Sequence, residues 1–261
     1  MAESFGVDAG RYDRARPRYP EALIRAIAAA APGPDLLDVG IGTGIAARQF
    51  RAAGCTVVGV DADERMAAFA RRQGFDVEVA RFEEWEPAGR AFDAVVSGQT
   101  WHWVEPVTGA EQAAQVLRQG GRLAVFWNVL DPEREIAETF SAVYRRVLDD
   151  WDPWARPALD PYSAILTRAA EGMRATGAFD EPEQWRFDWE RSYTRDEWLD
   201  QLPTGGDASQ LEPGKLEELL TGMGDAIDAL GGSFPLRYAA VAVTAALERR
   251  VGVDERATAI R

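Results

Sequence analysis

The residues best spaced for chemistry are Asp38-Val39-Gly40-Ile41-Gly42-Thr43-Gly44, followed 17 positions later by Asp61. Three glycines at alternate positions let a backbone turn sharply and approach a ligand with no Cβ in the way. A dinucleotide loop, Gly-x-Gly-x-x-Gly, would place its third glycine or alanine at 45, where this chain has Ile45, and no Gly-Lys-Ser/Thr follows to make a phosphate loop. A carboxylate accepts hydrogen bonds from both hydroxyls of a ribose, and Asp61 stands near the spacing of roughly 20 residues expected for such an acid. The loop holds no basic residue and is preceded by Asp38, which suits a cationic amino-acid moiety better than a pyrophosphate. An adenosine-containing ligand with a positive group is the expectation.

His102 is the only histidine and Cys55 the only cysteine. A multi-histidine or cysteine-rich metal centre is therefore excluded, as is any internal disulfide. A Ser-His-Asp triad would have to use His102, and no serine sits in a Gly-x-Ser-x-Gly elbow. His102 lies in Trp101-His102-Trp103, where it has two readings: a base near neutral pH, or an imidazole packed between two indoles. Cys55 reads as a small buried hydrophobe.

These residues need elements to hold them. Apolar runs at 35–39, 56–60, 76–80, 92–97 and 122–127 read as strands, with helical patterns at 20–31, 45–53, 63–73 and 109–119 between or before them. That alternation predicts a doubly wound α/β sheet with the glycine loop at a strand-to-helix turn. After Asn128 the pattern changes: a helix over 136–150, an aromatic and proline-rich loop over 151–161, an alternating strand over 184–191 with Trp185, Phe187 and Trp189 on one face, and a closing strand over 236–244, whose alanines also suit a helix. The 261 residues fit one large domain. Its expected parts are a lid and first helix (1–34), a ligand-binding core (35–130), and insertions with closing strands (131–261).

Lys and Arg number 29 against 43 Asp and Glu, a net charge of −14. Such a surface repels a phosphate backbone, so nucleic acid is not an expected partner. The longest uncharged stretches, 94–104 and 238–247, fall short of the roughly 18 residues of a membrane span. No basic and apolar leader opens the sequence, and a cytoplasmic location is the expectation.

The glycine loop, Val60-Asp61-Ala62-Asp63-Glu64-Arg65-Met66, Phe92 to Ser97 and Gly120-Gly121-Arg122-Leu123 together resemble class I S-adenosylmethionine-dependent methyltransferases. The likeness is to the small-molecule branch that includes ubiquinone/menaquinone and trans-aconitate methyltransferases, and it covers about residues 5–130. It implies a Rossmann-like sheet of seven strands with an antiparallel last strand, helical insertions in the C-terminal half, and methyl transfer to a small-molecule acceptor. By the same resemblance Asp38 meets the methionine ammonium, Gly40, Ile41, Gly42 and Gly44 line the cofactor, and Asp61 holds the ribose. Ala62 and Met66 pack near the adenine, beside the turn Arg81-Phe82-Glu83. Many relatives place an Asp at that turn; this chain has Arg81, leaving Phe82 or Glu83 to serve. Ser97 and Gln99 fall near the sulfonium, with Trp101 and Trp103 as walls. Tyr12, Arg16 and Tyr19 resemble a lid segment in which Arg16 pairs with the methionine carboxylate, or else a solvated arm. Trp151 and Trp154 suit either an aromatic pocket or core anchors. His102 would be a base only for an acceptor that must lose a proton. Two other readings stay open: a nicotinamide-dependent oxidoreductase, and a non-catalytic adenosyl-binding protein.

Overall fold

The computed structural model describes residues 8–148, 152–155, 159–206 and 208–248. Seven strands form one sheet: β1 (Asp35–Val39), β2 (Thr56–Asp61), β3 (Asp76–Val79), β4 (Phe92–Gly98), β5 (Leu117–Leu130), β6 (Glu183–Thr194) and β7 (Ser233–Ala246). Their order is β3-β2-β1-β4-β5-β7-β6. The first five run parallel, β7 runs antiparallel to β5, and β6 pairs antiparallel with β7. The direction of winding reverses between β1 and β4, the place where open α/β sheets open a crevice at their strand C-termini.

The central strands are continuous apolar runs because both faces are covered. On one face lie α2 (Glu21–Ala30), α3 (Ile45–Ala52) and α4 (Glu64–Arg72), packing Leu23, Ile27, Phe50 and Ala67 against Leu36, Val96 and Phe126. On the other, α5 (Pro106–Val116) and α7 (Leu159–Thr176) pack Ala113, Val116, Leu166 and Met173 against Leu37, Val95 and Trp127. A third apolar cluster joins α6 (Arg134–Val147), α8 (Arg195–Gln201) and α9 (Pro213–Ala229) around Phe140, Trp154, Tyr193, Trp198 and Phe234. Trp154 is thus a core anchor, its ring edge-on to Phe140 at 5.0 Å; Trp151 lies outside the described residues. The short α1 (Ala9–Ala15) is capped by Asp8, whose carboxylate accepts from the Arg11 amide.

Several expected boundaries move, the helix expected over 136–150 running instead over Arg134–Val147. The helix expected over 109–119 is α5, shifted three residues earlier: Pro106 opens it, where a missing N–H is harmless, and the strand begins at Leu117. Gly120-Gly121, expected as the turn into the fifth strand, lies within β5 beside a register irregularity between Phe92 and Ala94. The loop expected over 151–161 gives way at Leu159 to α7, with Pro161 in its first turn. The closing strands are present and longer than expected. In β7, Ala239, Ala240, Ala242 and Ala245 are almost wholly buried, so the alanines reflect close packing on both faces and not a helix. Trp185, Phe187 and Trp189 of β6 do share a face, against the second cluster.

Candidate functional site

The five residues between β1 and α3 are drawn onto the end of β2 by backbone bonds from the Gly40 and Ile41 amides to the Val60 carbonyl, 2.8 and 3.2 Å. Gly40 and Gly42 have φ of +68° and +58°, a region that side chains disfavour. A Cβ on Gly40 would stand 2.2 Å from Thr100 Cγ2 in the loop after β4. Around Gly42 the nearest atom to such a Cβ is 4.0 Å away, so there the conformation and the adjoining cavity set the requirement.

That cavity, of about 850 Å³, opens where the winding reverses. Its wall includes Asp38, Gly40, Ile41, Gly42, Asp61, Ala62, Met66, Phe82 and Glu83, with Gln99, His102 and Trp103 after β4 and Tyr12 and Arg16 from the N-terminal segment. Residues far apart in the chain therefore meet as expected. Three expected ones do not reach the wall. Gly44 caps α3 in the left-handed conformation, facing Phe75. Ser97 is fully buried, its hydroxyl donating to the Val39 carbonyl at 2.9 Å, so it ties β4 to β1. Trp101 points into the core, its ring centre 5.9 Å from that of Phe82. A three-residue turn that leaves His102 half-buried and Trp103 exposed turns Trp101 inward.

Two carboxylates dominate the electrostatics. Asp61 accepts from the Gly42 amide through Oδ2 and from the Asp63 amide through Oδ1, both at 2.8 Å. Burial still raises its pKa, against the lowering effect of those two bonds. Asp38 is 1 % exposed and its Oδ2 is sealed without a partner among the described residues. Burial, and secondarily the charge of Asp61, pushes the Asp38 carboxyl up to about 8. A buried carboxyl in that state is short of a cation or donor, and it lines the cavity.

The opposite wall comes from the C-terminal half. Arg16 donates to the Thr204 carbonyl at 2.6 Å and lies over the Tyr12 ring, 5.1 Å from its centre. Arg11 and Arg14 both hold Asp200 on α8, at 2.9 and 3.0 Å. The N-terminal segment is therefore fastened across the cavity and is not a solvated arm. Gln99, with φ of +57°, reaches the Asn128 carbonyl at 3.0 Å. His102 accepts at Nδ1 from the Trp127 indole, 3.3 Å away, and burial lowers its pKa. Sequence reasoning missed Asn128, Tyr162, Gln201, Gln210 and Tyr238 as wall residues. Asn128, at the C-terminal end of a parallel strand, carried a signal; the other four reach the wall from elements after the recognisable motifs and carried none.

Residues 37–125 match a family described as a methyltransferase domain. That stretch, from β1 to β5, is therefore similar to methyltransferase domains. Among curated relatives, an uncharacterized methyltransferase of Mycobacterium tuberculosis is 38% identical over 146 residues, 53% of this chain and 59% of that protein. A demethylmenaquinone methyltransferase of Tropheryma whipplei is 32% identical over 126 residues, 44% of this chain and 50% of that one. The chain thus spans between half and two thirds of these relatives' lengths. Among solved structures, a protein of Anaeromyxobacter dehalogenans described as a type II methyltransferase superposes with a TM-score of 0.61 at 24% identity, covering 89% of this chain and 97% of that one. It shows that the fold shared by the two chains extends beyond residues 37–125. No helix of the described residues is long and apolar enough to cross a membrane.

Proposed function

We propose that the chain binds S-adenosylmethionine and transfers its methyl group to a small-molecule acceptor. The observation that carries this reading is the pair Asp38 and Asp61 on one cavity behind the glycine loop: one carboxylate sealed with an orphan oxygen, the other fixed by the loop's own amide. The methyltransferase domain at 37–125 supports the reaction class. The residues present fit the cofactor. Asp61 has lone pairs left for the ribose hydroxyls, Asp38 suits the methionine ammonium, and Arg16, whose Nε is buried without a partner, suits the carboxylate. Ala62, Met66 and Phe82 offer apolar surface for an adenine.

When bound, the cofactor supplies a methyl group on a sulfonium, open to in-line displacement. The chain's task is then alignment and exclusion of water. Effective molarities of roughly 10⁵ to 10⁸ M show how much positioning alone can supply. The fastened N-terminal segment, Tyr162 and Tyr238 would close the acceptor side. A cavity of about 850 Å³, near the top of the range for small-molecule sites, supports a cofactor with an acceptor beside it.

The same reading treats residues 1–261 as one functional domain, supported by β6 and β7 completing the cofactor-binding sheet. A net charge of −14 supports the absence of a nucleic-acid partner, and the lone Cys55 suits a reducing, cytoplasmic compartment. Isothermal titration with S-adenosylhomocysteine, with NAD as the control, tests the cofactor. A screen with methyl-labelled S-adenosylmethionine over metabolite fractions tests transfer. Binding of NAD in place of S-adenosylhomocysteine overturns the reading in favour of an oxidoreductase.

A further inference from the structure

Trp127 on β5 is fully buried, and a buried indole N–H needs an acceptor. It finds Nδ1 of His102, at 3.3 Å, from the turn after the neighbouring strand β4. An indole nitrogen only donates, so Nδ1 must keep its lone pair for it and the neutral ring carries its proton on Nε2. The reverse tautomer, or the imidazolium, would set two N–H groups against each other with no acceptor between them. Nε2 has no hydrogen-bond partner among the described residues and is not among the sealed polar atoms, while the residue lines the cavity. Arg81, Glu83, Tyr162 and Tyr238 share that wall, yet burial alone accounts for the ring's lowered pKa.

We propose that Trp127 is a positioning residue that holds His102 as its Nε2–H tautomer, so that His102 donates a hydrogen bond to the methyl acceptor and does not take its proton, and that the acceptor is an oxygen arriving as its anion, of the carboxylate class. The inference rests on the methyl-transfer reading. Its chemistry follows from counting lone pairs. A neutral amine has one, which attack on the methyl carbon consumes, and a donor bonded to it would block the reaction. A carboxylate oxygen uses one pair for the new bond to carbon and keeps another for the Nε2–H. The electron pair of the broken carbon–sulfur bond stays with sulfur, and no proton has to leave.

Because His102 is the only histidine, the chain made with ¹⁵N-histidine and without a histidine tag gives one set of ring signals. At pH 6.5 to 8 the expected spectrum is the neutral ring with Nε2–H exceeding Nδ1–H by at least about tenfold, as a buried indole donor left unsatisfied in the reverse tautomer implies. A dominant Nδ1–H form or an imidazolium in that range overturns the proposal. Trp127→Phe should mix the tautomers; if that variant fails to fold, the wild-type spectrum still decides the tautomer. With S-adenosylhomocysteine saturating, organic carboxylates and their matched primary amides are then added. A downfield move of the Nε2–H proton with carboxylates and not with amides is the expected result; a signal unmoved by every carboxylate, or moved equally by amides, overturns the donor role. Failure of S-adenosylhomocysteine to bind in calorimetry is a separate result, which sinks the cofactor reading and leaves the tautomer as measured.

Discussion

Gly42 donates its amide to Asp61 Oδ2 at 2.8 Å, which makes the glycine loop and the carboxylate at the end of β2 one unit. The bond fixes the acid's rotamer through one oxygen while Asp63 fixes it through the other. Removing the side chain therefore takes away a ligand contact and loosens the loop. Asp61→Ala should weaken S-adenosylhomocysteine binding by about 1.5 to 3 kcal/mol, the range for a charge-assisted hydrogen bond. Titration calorimetry on a variant with a cooperative melt reads this directly, and wild-type affinity would remove Asp61 from the site.

Asp38 makes a pH prediction. Its folded-state pKa, about 8, lies above the ordinary carboxylate value of 3.8, so the fold favours the protonated acid. That contribution to stability is fully present below about pH 4 and is lost as pH rises through about 8. Without ligand, urea midpoints attributable to this group should fall between about pH 4 and pH 8 and level off above, and Asp38→Asn should flatten the slope. A ligand bearing an ammonium should draw the proton off. Binding of S-adenosylhomocysteine near pH 7 should then release protons and show an enthalpy that varies with the buffer's ionisation heat; an enthalpy independent of buffer counts against Asp38 as the ammonium's partner.

Gly40→Ala tests the loop from the other side. Its Cβ would stand 2.2 Å from Thr100 Cγ2, at a φ of +68°. Overpacking of this kind costs about 1 to 3 kcal/mol. In a Thr100→Gly background, which removes that methyl together with Oγ1 and Cβ at 2.5 and 2.6 Å from the same point, Gly40→Ala should cost less stability in urea unfolding. An equal cost in both backgrounds would mean that backbone conformation, not the clash, sets the requirement.

The sheet, the glycine loop and Asp61 were legible because parallel strands covered on both faces leave continuous apolar runs, and because the loop's residue types are dictated locally. Ser97 and Trp101 misled for a physical reason. Position in the chain located the loop after β4 correctly, but which side chain faces the cavity depends on the turn at 101–103 and on a hydrogen bond from Ser97 to β1, neither of which has a sequence signature. Tyr162, Gln201 and Gln210 were illegible for a different reason: they reach the cavity only through tertiary packing of the C-terminal helices on the sheet. The fastening of the N-terminal segment likewise depends on Asp200, more than 180 residues from its arginines.

Asp200 joins Arg11 and Arg14 near the surface. Partly exposed ion pairs contribute roughly 0 to 1 kcal/mol each, so Asp200→Ala should leave global stability almost unchanged. Its effect should be local: faster amide exchange across Ala9–Ala15 and a faster, more salt-sensitive release of S-adenosylhomocysteine. Equal protection of that segment in both proteins would show that other contacts hold it.

Gln99 separates strain from function. A non-glycine residue at φ of +57° costs on the order of 1 kcal/mol relative to glycine, and the bond from its side chain to the Asn128 carbonyl returns about 0.5 to 1.5 kcal/mol. The two effects nearly cancel, so Gln99→Gly should shift the urea midpoint little in either direction. Ligand binding has no such compensation. If the left-handed conformation at 99 is kept to bring this side chain to the cavity wall, the glycine variant should hold its stability and lose S-adenosylhomocysteine affinity or methyl transfer by about tenfold, the equivalent of 1.4 kcal/mol. Unchanged binding together with higher stability would make Gln99 a purely structural bridge between the loop after β4 and the end of β5.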